Sequence, residues 1–155
     1  MSIMSYDVDC VTWHPDGKLK QVEYACEAVT QGTICLALKS EKEGVLMALK
    51  RNPTKLACYQ EKIHEISKGV GIGISGMTAD ARVLCKYMRR ENLVYKNLYG
   101  KNTSVSTLAS KVSSKFHEKT TVYGKRPFGL GLLMLGYNAG KLFWYIIFAY
   151  WLVLY

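Results

Sequence analysis

Two apolar runs, Val70-Gly71-Ile72-Gly73-Ile74-Ser75 and Phe128 to Tyr137, flank two stretches of helical periodicity, and this order constrains the fold more than any other feature of the chain. In residues 78–97 the apolar stripe is Ala81, Leu84, Cys85 and Met88. In the stretch that begins near Thr103 or Ser104 it is Val105, Leu108, Ala109, Val112 and Phe116. Recurrence at three and four residues places each set on one helical face. Thr78 is positioned to cap the first helix, and Asp80 falls in its first turn, where a carboxylate meets the positive end of the helix dipole. The run 128–137 suits a strand buried on both faces. Strand, helix pair, strand predicts an α+β fold with helices layered on antiparallel sheet.

The earlier residues supply more sheet. Pro15-Asp16-Gly17 is a turn, because proline presets one backbone angle, aspartate bonds neighbouring N–H groups and glycine accepts positive φ. A short helix follows, with Leu19, Val22, Ala25, Cys26 and Val29 on one face and Gly32 as its stop. Residues 33–39 and 44–50 are apolar runs joined by Ser40-Glu41-Lys42-Glu43, which reads as a hairpin. Residues 62–66 alternate in polarity and predict a second strand pair with 70–75.

Composition narrows the function classes. The chain carries a net charge of +9, distributed unevenly: residues 1–31 hold two lysines against five carboxylates, net −3, and residues 32–141 nineteen basic against seven acidic, net +12. Nucleic-acid binding would use such an excess, but the basic residues are single or in short pairs, without an arginine-rich run, so they read as surface or partner contacts. Leu142 to Tyr155 is wholly hydrophobic. It falls short of the ~20 residues a membrane-spanning helix needs, so no membrane anchor is expected. The start, MSIMSYDVDC, turns acidic too early for a signal peptide, which points to cytoplasm and nucleus. Cys10, Cys26, Cys35, Cys58 and Cys85 form no C-x-x-C pair and no zinc set, and read as reduced structural thiols. No metal or other cofactor is expected.

Local motifs give no catalytic centre. The glycines of 69–73 and 129–131 are separated by Val, Ile and Leu rather than opening a helix with Lys and a hydroxyl in register, so close sheet packing explains them better than a phosphate loop. Gly73-Ile74-Ser75-Gly76 is one residue short of a nucleophile elbow. His14, His64 and His117 fall on a turn, a strand and a helix end with no shared spacing, and read as surface or capping residues.

The opening block, YDVDCVTWHPDGKLKQVEYACEA at residues 6–28, closely resembles the N-terminal signature of proteasome alpha subunits. Every position fits except the serine before the proline, which is His14. The resemblance continues through Ala48-Leu49-Lys50-Arg51, Gly76-Met77-Thr78-Ala79-Asp80-Ala81-Arg82 and Tyr123-Gly124-Lys125-Arg126-Pro127-Phe128-Gly129, and covers residues 6–143, with the later blocks most similar to the alpha type-1 group. It implies the αββα sandwich of N-terminal-nucleophile hydrolases, here incomplete with its second half missing.

The same resemblance implies a function: a non-catalytic member of a hetero-heptameric alpha ring of the 20S core, partnered by other alpha subunits, beta subunits and regulatory-particle activators, which gates substrate entry in ubiquitin-dependent protein breakdown. Active members use an N-terminal Thr whose own amine assists its hydroxyl. The matching Thr33 lies behind thirty-two residues, and Lys50 stands at the catalytic Asp position, although Lys62 matches the catalytic Lys. By resemblance, Tyr6, Asp7, Pro15 and Tyr24 form the gate cluster, with Val8 in place of the usual Arg. Gly32, Lys62 and Met77 line a pocket for activator C-termini. The competing readings are an active threonine hydrolase, a nucleic-acid binder, a tail-anchored protein and a non-functional truncated product.

After Leu142 and Phe143 the family pattern stops. Residues 144–155 are therefore expected to be a divergent hydrophobic tail, from a shifted frame, a retained intron or a gene-model error, unlike a strand of the sandwich. Unpaired edges and uncovered apolar faces are the expected consequence.

Overall fold

The computed structural model describes residues 6–51, 54, 56, 61–148 and 152–154; Cys58 and part of the hydrophobic tail lie outside them. The elements in order are α1 (Lys20–Thr30), β1 (Cys35–Lys39), β2 (Gly44–Ala48), β3 (Ile63–Ser67), β4 (Val70–Gly76), α2 (Thr78–Tyr99), α3 (Val105–Thr121), β5 (Leu130–Asn138), β6 (Lys141–Ile147) and β7 (Leu152–Leu154). The strands form a two-stranded sheet, β1-β2, and a five-stranded sheet in the order β3-β4-β5-β6-β7. Every pairing is antiparallel.

Alternation along the strands sorts the larger sheet into two faces. Val70, Ile72 and Ile74 of β4, Leu130, Leu132 and Met134 of β5, and Tyr145 and Ile147 of β6 are buried in one core with the stripes of α2 and α3. Ile72, Ile74, Leu132 and Met134 are all but inaccessible, and each such side chain contributes about 1.5–3 kcal/mol by leaving water. On the opposite face Gly71 and Gly73 leave room for β1-β2: a Cβ at Gly73 would sit 3.4 Å from Cys35 Sγ and from a Leu46 methyl. Gly73 thus serves the close packing read from the sequence, whereas Gly69 has open space around it and takes a positive φ of 85°. The layers are helix pair, five-stranded sheet, two-stranded sheet.

Helix boundaries follow local chemistry, with three departures from expectation. The α2–α3 turn is built as a stop and a start: Gly100 takes the left-handed conformation (φ 69°), and Ser104 accepts from Thr107 N–H as the cap of α3. At α2, however, the capping position is Met77 without a side-chain bond, and Thr78 is already helical. Gly32 does not end α1 by positive φ, since α1 closes on Gln31 in the helical region. Gly32 is instead a point of contact, where a Cβ would overlap Gly76 N and Ser75 Oγ.

The third departure concerns the tail. Residues 144–147 continue β6, in register from Leu135↔Trp144 to Leu132↔Ile147. A strand covered on both faces reads as an unbroken apolar run, so the absence of charge that set these residues apart in the sequence is what their position between helices and second sheet selects. The backbone of β7 then pairs along β6, from Tyr145↔Leu154 to Ile147↔Leu152.

Candidate functional site

The segment before α1 is organised by short polar bonds. The Asp9 carboxylate accepts from Val11 N (2.8 Å), Thr12 N (2.7 Å) and Thr12 Oγ1 (3.0 Å), and the two backbone bonds, with that hydroxyl, hold its pKa below the ordinary value despite desolvation. Residues 14–18 close a turn through His14 N to Lys18 O and Gly17 N to His14 O, both 2.9 Å, with Gly17 at φ 75°. Cys10, fully buried, donates its thiol to Lys125 O at 2.8 Å. That bond fastens the segment to the loop between α3 and β5.

Three of the four expected gate residues are joined through this segment. Tyr24 on α1 donates its hydroxyl to Asp7 Oδ2 at 3.2 Å, and the Gln21 amide donates to Asp7 O. Desolvation and the Asp7 carboxylate push the Tyr24 phenol above its ordinary pKa, which keeps it a donor. Tyr6 packs edge-on against His14, ring centroids 5.8 Å apart. Pro15 follows His14 in the turn, so it joins the cluster through its neighbour. His14 Nδ1 lies 3.2 Å from Asp16 N and 2.9 Å from Asp16 Oδ2; it accepts from the amide when neutral and donates to the carboxylate when protonated.

Sequence reasoning gives His14 and Gln21 no part in this cluster. The single mismatch to the signature is the available signal for His14, and a glutamine one turn before Tyr24 is the signal for Gln21.

The second expected group gathers at one end of β4. Gly32 rests on Ser75 and Gly76, Met77 follows directly, and Ile74 N donates to Lys62 O at 3.0 Å. Met77 is 44% exposed, but Lys62 is 4% exposed, deeper than a lysine reads from sequence. Its positive charge draws the Cys35 pKa down, although burial dominates and leaves that thiol above its ordinary value. Nearby, Thr33 Oγ1 is buried without a hydrogen-bond partner. Among the described residues, no group of three or more His, Cys, Asp or Glu side chains is placed to hold a metal ion, and no helix is long and apolar enough to cross a membrane.

The loop that receives Cys10 is itself anchored. Arg126 gives a bidentate pair to Asp80, both contacts 2.7 Å, and Gly129 N donates to the same carboxylate at 3.1 Å. Burial pushes Asp80 up, but these bonds and the guanidinium charge outweigh it and hold its pKa below the ordinary value. Asp80 and Arg126, from two separate matching blocks of the sequence, thus meet across the start of α2 and the entry to β5.

Comparison with known proteins identifies the family. Residues 6–28 match the N-terminal signature of A-type proteasome subunits, and residues 29–147 match the proteasome subunit family. The chain is 48% identical over 133 residues to the alpha type-1 proteasome subunit of Dictyostelium discoideum, covering 86% of this chain and 54% of that one. It is 47% identical over 133 residues to a probable alpha type-6 proteasome subunit of Schizosaccharomyces pombe, covering 86% and 49%, and 40% identical over 134 residues to the alpha type-6 proteasome subunit of Saccharomyces cerevisiae, covering 86% and 57%. The chain spans about half the length of these curated relatives. With one family model running from the end of α1 through β6 and the alpha signature over the entry segment and most of α1, the chain belongs to the proteasome subunit family, on its alpha side.

Proposed function

We propose that this chain is a non-catalytic, structural component of the proteasome alpha ring, in which the segment before α1 contributes to the substrate gate and the end of β4 to activator docking. The observation that carries this reading is the bond from Tyr24 on α1 to Asp7, which fixes the entry segment onto α1, with Tyr6 packed on His14 within that segment. Gate residues must hold a chain end in one direction, and a phenol on a helix bonded to a carboxylate in the preceding segment supplies that restraint.

The absence of catalysis has a chemical basis. In this reading Thr33 stays joined through its nitrogen to Gly32, and its hydroxyl is without the free amine that activates a threonine nucleophile. Its partners would be other alpha subunits, beta subunits and regulatory-particle activators, and its location cytoplasm and nucleus. Gly32, Lys62 and Met77 are the residues assigned to the activator pocket.

Affinity isolation of the tagged chain from its own cells, followed by native mass spectrometry, tests the proposal. Co-isolation with other alpha and beta subunits at core-particle mass is expected. A well-expressed, soluble chain that carries none of them would overturn it. In particles containing the chain, Tyr24→Phe removes the bond to Asp7 and is expected to change basal peptide entry about two- to fivefold, the worth of one solvent-exposed hydrogen bond.

A further inference from the structure

Between α2 and β3 lies a cleft of about 410 Å³ lined by Glu61, His64, Arg82, Cys85, Lys86 and Arg89. We propose that it is an anion site that takes a phosphate group. The helix supplies the charge: positions 82, 86 and 89 are four and three residues apart, so their side chains share one face of α2. Arg82 and Lys86 have no ion pair or hydrogen bond among the described residues. Arg89 is held from the other side, with Nε and Nη2 donating to Glu65 O at 3.1 and 2.7 Å. That anchoring fixes the plane of its guanidinium and leaves three of its five N–H donors for a ligand.

His64 is the independent observation. It stands on β3, is 8% exposed, and its Nε2 is buried with no hydrogen-bond partner. Buried polar atoms are rarely left unpaired, and where they are the site usually has a use for them. The other ring nitrogen, Nδ1, lies 3.7 Å from Glu61 Oε1. With Nδ1 turned toward the Glu61 carboxylate, Nε2 is left as the ring nitrogen without a partner at the edge of the cleft.

The charge balance selects the ligand class. Three cations face one carboxylate, Glu61, which leaves two positive charges for an incoming group. Cys85 adds no negative charge, because burial pushes its thiol pKa up. A phosphate carries close to two negative charges at neutral pH, and its oxygens accept bidentate guanidinium bonds as well as a point ammonium. A carboxylate neutralises only half of the excess. The site does not depend on the family reading and stands or falls separately from it.

The test is titration of the purified 155-residue chain, labelled with ¹⁵N, with inorganic phosphate, with a capped phosphoserine peptide and with acetate. Saturable phosphate binding that shifts the His64 side-chain nitrogens is expected, weakened about tenfold or more in the exposed double variant Arg82→Gln/Lys86→Gln. His64→Gln, which retains a buried polar side chain, is expected to weaken it by a smaller factor. Preference for phosphoserine over inorganic phosphate would assign the group to a phosphorylated polypeptide, and equal affinity to the free ion; either supports the site. Acetate binding as well as phosphate, an affinity unchanged in the double variant, or no saturable binding would overturn it.

Discussion

Asp80 shows how one side chain can organise two distant segments. Its carboxylate is nearly buried, whereas Arg126 remains 58% exposed at the side chain, so much of the pair's worth lies in three directed hydrogen bonds rather than in bare attraction. Asp80→Asn keeps the shape but removes the charge. It is expected to lower unfolding stability by about 2 kcal/mol, measurable as a drop in urea midpoint with unchanged slope. The residues that the sequence disclosed least were those whose part depends on a partner far along the chain. Lys62 was named only through resemblance, and its burial is not what a lysine ordinarily shows; His14 reads as a surface or capping histidine and packs on Tyr6. Tyr6, Asp7, Pro15 and Tyr24 were named through resemblance, because no periodicity marks a residue that works by a contact seventeen positions away, as from Asp7 to Tyr24.

Among elements, the helices were the most legible, since periodicity is a local property. All five apolar positions read for α3, and all four for α2, are buried. The connection between them depends on its capping bond, and Ser104→Ala is expected to cost about 1 kcal/mol, with the loss of protection appearing first in the amides of the first turn of α3. At the other end of α3, Glu118 lies 2.6 Å from both Lys115 and Lys125, and these bonds pull its pKa down to about 2. A carboxylate depressed on folding contributes stability that is present above its unfolded value and lost as pH falls through the folded one. Acid titration should therefore loosen the end of α3 between roughly pH 4.5 and 2, and a Glu118→Gln chain should lose that pH dependence. Both strand pairs were also legible. Their division between two sheets was not, because alternation shows that a strand has two faces but not which strand lies beside it.

At the scale of the whole molecule, the smaller sheet is covered on one side only. Leu36 faces Met47 and Leu38 faces Val45 across the hairpin, and all four are exposed. They form an apolar face of the kind anticipated from the sequence. A patch like this binds hydrophobic dyes and drives self-association. Leu38→Lys with Val45→Glu places an opposite-charge pair across the strands and is expected to lower dye fluorescence and concentration-dependent light scattering, with little change in the far-UV circular dichroism spectrum.

The seam between β4 and β5 has a temporal consequence. Its seven pairs, from Val70↔Gly136 to Gly76↔Leu130, join segments separated by the whole α2–α3 hairpin, while the pairings of β1 with β2, β3 with β4 and β5 with β6 are local. On a ribosome adding about 5 to 20 residues per second, roughly 3 to 11 s pass between the making of Gly76 and that of Leu130. For that interval the β3–β4 ribbon waits with a bare edge, and Ile72 and Ile74 lack Met134 and Leu132, their partners across the seam. The nascent chain is then most open to a chaperone, and a synonymous codon change that slows translation of residues 100–128 should lengthen the wait without altering a single contact of the finished fold.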